Sequence, residues 1–180
     1  MRRALGLVVL FLIACAGVLL MYVRQHGFSA RAKPSAVETF LARKVRSLAT
    51  PAGVKAMRNP LSPTPLNVAE ARDHFADHCA ICHANDGSGK TTINEGLYPP
   101  APDLRDRDTQ QLSDGELLSI IKNGIRFTGM PGWGGEDDEN WKLVLFIRHL
   151  PELSDQELKL MKEINGVDTP VAHHGAPEEE

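Results

Sequence analysis

The run Cys79-Ala80-Ile81-Cys82-His83 has the residue types and spacing of a c-type haem attachment site, C-x-x-C-H. Two thiols about one helical turn apart can each form a thioether to one of the two vinyl groups of haem. The imidazole of the next residue then reaches the iron as proximal axial ligand. The rival chemistries are thiol redox exchange and zinc binding. A redox C-x-x-C usually sits near a βαβ pattern, which this sequence lacks. A structural zinc takes four ligands from two clusters. The third cysteine, Cys15, lies in an apolar segment, and His173 and His174 lie in a polar tail. The pattern therefore points to one covalently bound haem c, held by Cys79 and Cys82, with His83 on the iron.

A second stretch could complete the iron's coordination. Met130 lies in Gly129-Met130-Pro131, inside a glycine-rich loop 47 residues after His83. A thioether is a soft ligand suited to a low-spin haem iron, and His/Met ligation raises the reduction potential. A gap-filling role is the bland alternative for any methionine, but a loop between glycine and proline suits a core filler poorly. Met57 falls in a linker and Met161 in a helix expected at the surface, so both compete poorly. Three further features are assigned to the haem pocket. Carbonyls around Pro100 and Pro102 are candidate acceptors for the His83 Nδ1–H, since a ligating histidine usually donates its other ring N–H. Arg126 is a candidate partner for a haem propionate or, equally, for a surface salt bridge. Trp133 is a candidate wall.

Helices must position these groups. Asn67 to Ala80 has helical spacing, with Asn67 and Glu70 placed like a capping box; Ala71 and Phe75 share a face that leads to Cys79. Ser113 and Glu116 open a helix that Asn123-Gly124 ends. Another helix runs to about His149, which is a possible iron ligand but more often a cation at a helix C-terminus. A last helix is capped by Ser154 with Glu157 and covers Leu158 to Ile164. Asp86-Gly87-Ser88-Gly89 is a turn that takes the chain off the haem.

Upstream, Ala4 to Val23 is an uncharged, mostly apolar run of 20 residues, the length of a transmembrane helix. It is longer than a signal-peptide core and has no A-x-A site after it, so an uncleaved anchor is expected. Leu12-Ile13-Ala14-Cys15 resembles a lipoprotein box, which would lipidate Cys15, although apolar residues continue beyond it. Ser35 to Leu48 reads as a short amphipathic helix, lying either in a membrane interface or on the globular domain. Pro51 to Pro65 reads as a linker. The expected organisation is an N-terminal membrane helix over 1–23, a basic stalk over 24–65, a haem domain over 66–165 and a disordered polar tail over 166–180.

The net charge of −3 hides an asymmetry: Arg24 to Arg58 holds eight Lys or Arg against one Glu, whereas from Asn59 onward ten basic residues face 22 acidic ones. The basic stretch suits anionic lipid headgroups. The acidic domain is a poor nucleic-acid binder and favours a protein partner with a basic docking face. The cations after the apolar run do not favour an external C-terminal side, but long domains translocate largely regardless of charge, and C-x-x-C-H ligation belongs to the export side.

Taken together, Cys79-Ala-Ile-Cys82-His83, Asp86-Gly87-Ser88-Gly89, Pro99-Pro100-Ala101-Pro102-Asp103-Leu104, Gly124-Ile125-Arg126, Gly129-Met130-Pro131 and Leu143-Val-Leu-Phe146 resemble a membrane-anchored bacterial monohaem cytochrome c of the class I type. The resemblance covers about Asn59 to Ile164. It implies an all-α domain around one covalent haem, with Ala71 and Phe75 crossing Leu143 and Phe146, and His83/Met130 ligation. Two residues depart from the family pattern: Ala71, where Gly often sits at the helix crossing, and Ala84, where Gly often follows the haem histidine. The function implied is one-electron transfer on the outer face of a bacterial cytoplasmic membrane, to a membrane-bound or periplasmic redox partner. No enzyme activity, small-molecule substrate or nucleic acid is expected. The rivals are a peroxidase-like haem enzyme or gas sensor with an open distal site, and an assembly subunit in which haem only stabilises the fold.

Overall fold

The computed structural model describes residues 2–166, and all regular structure among them is helical. Apart from Gly166, the expected polar tail lies outside the described residues. The chain divides into two compact units, Met1–Ala32 and Lys33–Glu180. The first is one helix, α1 (Arg2–His26), whose stretch Leu5–Gln25 is long and apolar enough to cross a membrane.

The second unit opens with α2 (Ala36–Ala49), capped by Ser35 and Glu38 in a reciprocal capping box. The stretch 51–65 is not plain linker. It contains a short helix, α3 (Ala52–Lys55), and then leads into α4 (Pro65–His74). Helix α4 starts earlier than the Asn67 cap expected from sequence. The Thr64 side chain accepts the Asn67 amide at 3.2 Å, and Pro65 takes the first helical position, where a missing N–H is no loss. Asn67 instead donates its side-chain amide to the Ser62 carbonyl at 2.9 Å.

The helix expected to run unbroken to Ala80 widens into a π-helical turn, Phe75–Cys79, and tightens again into α5 (Ala80–His83). A π turn shifts the following residues around the axis relative to an α-helix and is frequent at functional sites. Here it sets the phase of the cysteine pair. Later elements are α6 (Arg107–Gln110), α7 (Asp114–Asn123), α8 (Asp137–His149) and α9 (Asp155–Asn165). The capping boxes of Ser113 with Glu116 and Ser154 with Glu157 both form.

The core is the crossing of α4 and the π turn with α8. Ala71, Phe75, Leu143 and Phe146 share one buried apolar cluster, and the Phe75 and Phe146 ring centroids lie 5.1 Å apart. Each fully buried large side chain contributes about 2 kcal/mol by burial. Met161 belongs to this core at 0 % exposure, contrary to its expected surface position; α9 turns that side inward against the π turn. Asn165 fixes the same contact, donating to the Ala76 carbonyl at 2.7 Å. Arg148 ties α8 to the start of α7, donating to the Gln110 carbonyl at 2.7 Å and to Asp114 Oδ1 at 2.8 Å.

Candidate haem site

A cavity of about 340 Å3 opens beside the crossing. Cys79, Cys82 and His83 reach it from the π turn and α5. Pro100 and Pro102 reach it from the loop after the Asp86–Gly89 turn, and Leu117 and Ile121 from α7. Met130 and Trp133 line it from the loop after α7, and Leu143 and Ile147 from α8. The cavity thus gathers every sequence-assigned site residue except Arg126, which is exposed and outside the lining.

Local hydrogen bonds fix both sides. After α5 the chain leaves through Ala84 at φ 61° and ψ 159°. The Gly89 amide donates to the His83 carbonyl at 2.8 Å, and the Leu104 amide to the Gly87 carbonyl at 2.8 Å. Buried Asn94 staples the proline loop: it accepts the Ala101 amide and donates to the Gly89 and Ala101 carbonyls. On the opposite side, the Met130 loop folds back on the end of α7. The Ile125 amide donates to the Met130 carbonyl at 3.0 Å, and the Trp133 amide to the Ile121 carbonyl at 3.0 Å. Met130's own amide donates to Thr128 Oγ1 at 3.1 Å. Gly132 permits this closeness, since a Cβ there would stand 2.8 Å from the Asn123 carbonyl carbon.

Electrostatics separate the rival chemistries. Burial pushes the Cys79 thiol up to about 12, with Cys82 adding to the effect, and burial also raises Cys82. The shift is opposite to that of reactive redox thiols, whose acidity is raised by nearby cations or a helix N-terminus. Among the described residues no group of three or more His, Cys, Asp or Glu is placed to hold a metal ion. Burial pushes His83 down to about 4, so its imidazole is neutral near pH 7 with a lone pair to give. The Pro102 carbonyl faces the ring and favours a proton on it. It falls short of a hydrogen bond, and the buried Nδ1 has no partner among the described residues. His149, the rival imidazole, is instead paired with Glu157 Oε1 at 2.8 Å.

An apolar cavity with two cysteines, a neutral imidazole and a thioether on its walls fits a covalent haem: the donor set is right and the lining is mostly apolar. The fold and the cavity together define a cytochrome c domain. Residues 66–147 match the family described as "Cytochrome C oxidase, cbb3-type, subunit III", and this part of the chain is a cytochrome c domain of the class I monohaem type. Such a domain carries a covalently bound haem c. Cytochrome c domains are extracytoplasmic and are typically electron carriers rather than enzymes. No curated protein matches the chain.

Sequence reasoning missed two contributors to the site. Asn94 carries no signal in a polar stretch. Arg46 of α2 lines the cavity, although it stands outside the family match and looked like one more cation of a basic stalk.

Proposed function

We propose that this chain is a tethered one-electron carrier, with haem c bonded to Cys79 and Cys82 and with His83 and Met130 as axial ligands. When bound, the haem supplies one-electron chemistry, its iron alternating between ferric and ferrous states. The chain's residues set the conditions. His83 offers a neutral imidazole. Met130 offers a thioether from a loop stapled to α7 and would serve as the second protein ligand to the iron. The lining is mostly apolar, and Met/His ligation raises the potential. The observation that carries this reading is that His83 and Met130 line one cavity.

The partner is a membrane-bound or periplasmic respiratory redox protein with a basic docking face, which the acidic charge of the domain favours; the matched family's name points to a respiratory oxidase. Helix α1 serves as an uncleaved anchor in the bacterial inner membrane and keeps the domain on the periplasmic side at high effective concentration. The apolar stripe of α2 supports a membrane-side placement: Val37, Phe40, Leu41, Val45 and Leu48 are each at least 54 % exposed, while its other face carries the polar contacts to the haem domain.

The test is the ferric absorption spectrum of the matured chain beside its Met130→Ala variant. A weak far-red methionine-to-iron charge-transfer band in the parent, absent from the variant, is the expected result. A high-spin parent that binds carbon monoxide or peroxide readily would move the assignment to a peroxidase-like enzyme or gas sensor.

A further inference from the structure

Helix α2 and the short helix after it lie outside the segment that matches the family, yet they are built onto the haem domain. Tyr98 donates its hydroxyl hydrogen to Glu38 Oε1 at 2.9 Å, and Arg43 pairs with Asp108 of α6. Helix α3 lies so close on α7 that a Cβ on Gly115 would stand 1.9 Å from the Val54 carbonyl oxygen. Lys55 then reaches back to the Ser47 carbonyl at 2.6 Å and closes α2 against α3.

These contacts deliver one side chain to the cavity. Arg46 is half-buried and, among the described residues, is the only Lys, Arg, Asp or Glu that lines it. Its guanidinium makes no hydrogen bond or ion pair among the described residues. Burial works against its charge, the field of Glu116 offsets part of that without a hydrogen bond, and Arg43 adds to the cost. A cation withdrawn from water without a hydrogen-bonded counter-charge is costly. The cofactor of this domain brings two carboxylates, the haem propionates, and a guanidinium is the side chain whose planar fork fits a carboxylate in two parallel bonds.

We propose that Arg46 binds a haem propionate, making α2 a part of the haem site contributed from outside the cytochrome c domain. The proposal rests on the haem occupying this cavity but not on the identity of the sixth ligand. It also reassigns the role considered for Arg126, whose side chain is exposed and off the cavity wall. A fixed cation beside the propionates disfavours the ferric state, which carries one more positive charge than the ferrous. Arg46 thereby holds the reduction potential up, and any event that lifts α2 off the domain lowers it.

The test uses the full chain with its haem attached, as parent, Arg46→Gln, Arg46→Lys and Arg126→Gln. Haem content is checked by the pyridine haemochrome spectrum and sixth-ligand integrity by the far-red band, so loss of the axial assignment is read separately. The midpoint potential and the propionate bending band in the resonance Raman spectrum are then compared. The expected result is a lowered potential and a shifted propionate band in Arg46→Gln, substantial recovery of the potential in Arg46→Lys, and parent-like values in Arg126→Gln. The proposal is overturned if both Arg46 variants keep the parent's potential and propionate band with haem intact. It is equally overturned if Arg126→Gln reproduces the shifts expected of Arg46→Gln.

Discussion

A Cβ on Gly124 would stand 2.6 Å from the carbonyl oxygen of Met130. The end of α7 and the methionine loop are therefore one packed unit, in which the absence of a side chain at one residue sets the position of the other. Gly124 also sits at φ 65° and ψ −167°, a backbone region open to little but glycine. Gly124→Ala is expected to cost about 2–4 kcal/mol, combining backbone strain with a backbone clash. It should also weaken the far-red band, because relief of the clash moves Met130. Gly53→Ala is the control: a Cβ there meets nothing within 4 Å, and alanine in a helix stabilises by roughly 0.5–1 kcal/mol. Equal effects of the two substitutions on the band would dissociate Gly124 from the position of Met130.

Ala84, directly after His83, adopts φ 61° and ψ 159° while fully buried. For a residue with a Cβ this conformation costs of order 1–3 kcal/mol. Replacing it with glycine relieves that strain but removes a buried methyl, worth about 0.8 kcal/mol, and loosens the unfolded chain. Ala84→Gly is thus expected to lie within about 1 kcal/mol of the parent in denaturant unfolding. Ala84→Val enlarges a side chain in a packed core at a backbone position hostile to β-branching, and should cost more than about 2 kcal/mol. A valine variant as stable as the glycine one would show that the backbone here relaxes freely.

The residues that state their chemistry in one dimension were legible. The cysteine pair with its histidine, the methionine between glycine and proline, and the serine–glutamate caps of α7 and α9 depend on spacing of a few positions, which sequence displays directly. What escaped depends on groups far apart in the chain. Asn165 is 89 residues from the carbonyl it binds at Ala76, so neither position advertises the other. The π turn was hidden because one extra residue in a helical turn leaves the apolar spacing nearly intact. Arg46 was hidden because nothing local tells a stalk that hangs free from one that folds back. Met161 looked exposed in a charged helix, and its apolar neighbours Leu160 and Ile164 are themselves exposed.

Asp103 and Arg105 give the proline loop a pH dependence. Arg105 donates to Asp103 through Nε at 2.9 Å and Nη2 at 2.6 Å, and its Nη1 reaches Asp86 Oδ2 at 3.2 Å. The side-chain hydrogen bond from Arg105 holds the Asp103 carboxyl below its ordinary value of 3.8. Because the folded pKa is depressed, the contribution is complete above the unfolded value and is lost as pH falls through the folded one. The pair is partly exposed, so Asp103→Asn should cost no more than about 1 kcal/mol near neutral pH. The gap between variant and parent should shrink in urea unfolding as pH drops below about 4. A gap that stays constant into acid would assign the loss to packing rather than to charge.

The two faces of α2 make a last separation possible. One face holds the haem domain through Glu38 and Arg43 and turns Arg46 to the cavity. The other presents Val37, Phe40, Leu41, Val45 and Leu48 together with Lys44, the pattern of a helix seated in a membrane surface. The chain from Lys33 onward begins where the second compact unit begins and lacks the apolar helix that would mask any weaker affinity. It is expected to co-sediment with vesicles containing an anionic lipid, and less so as salt screens the headgroup charge. Replacing Phe40 and Leu41 with serine removes apolar area without touching the polar contacts, and should release the protein from vesicles with its haem spectrum unchanged. If the parent ignores vesicles at low salt, the stripe is not a lipid surface, and α1 alone would account for any tether.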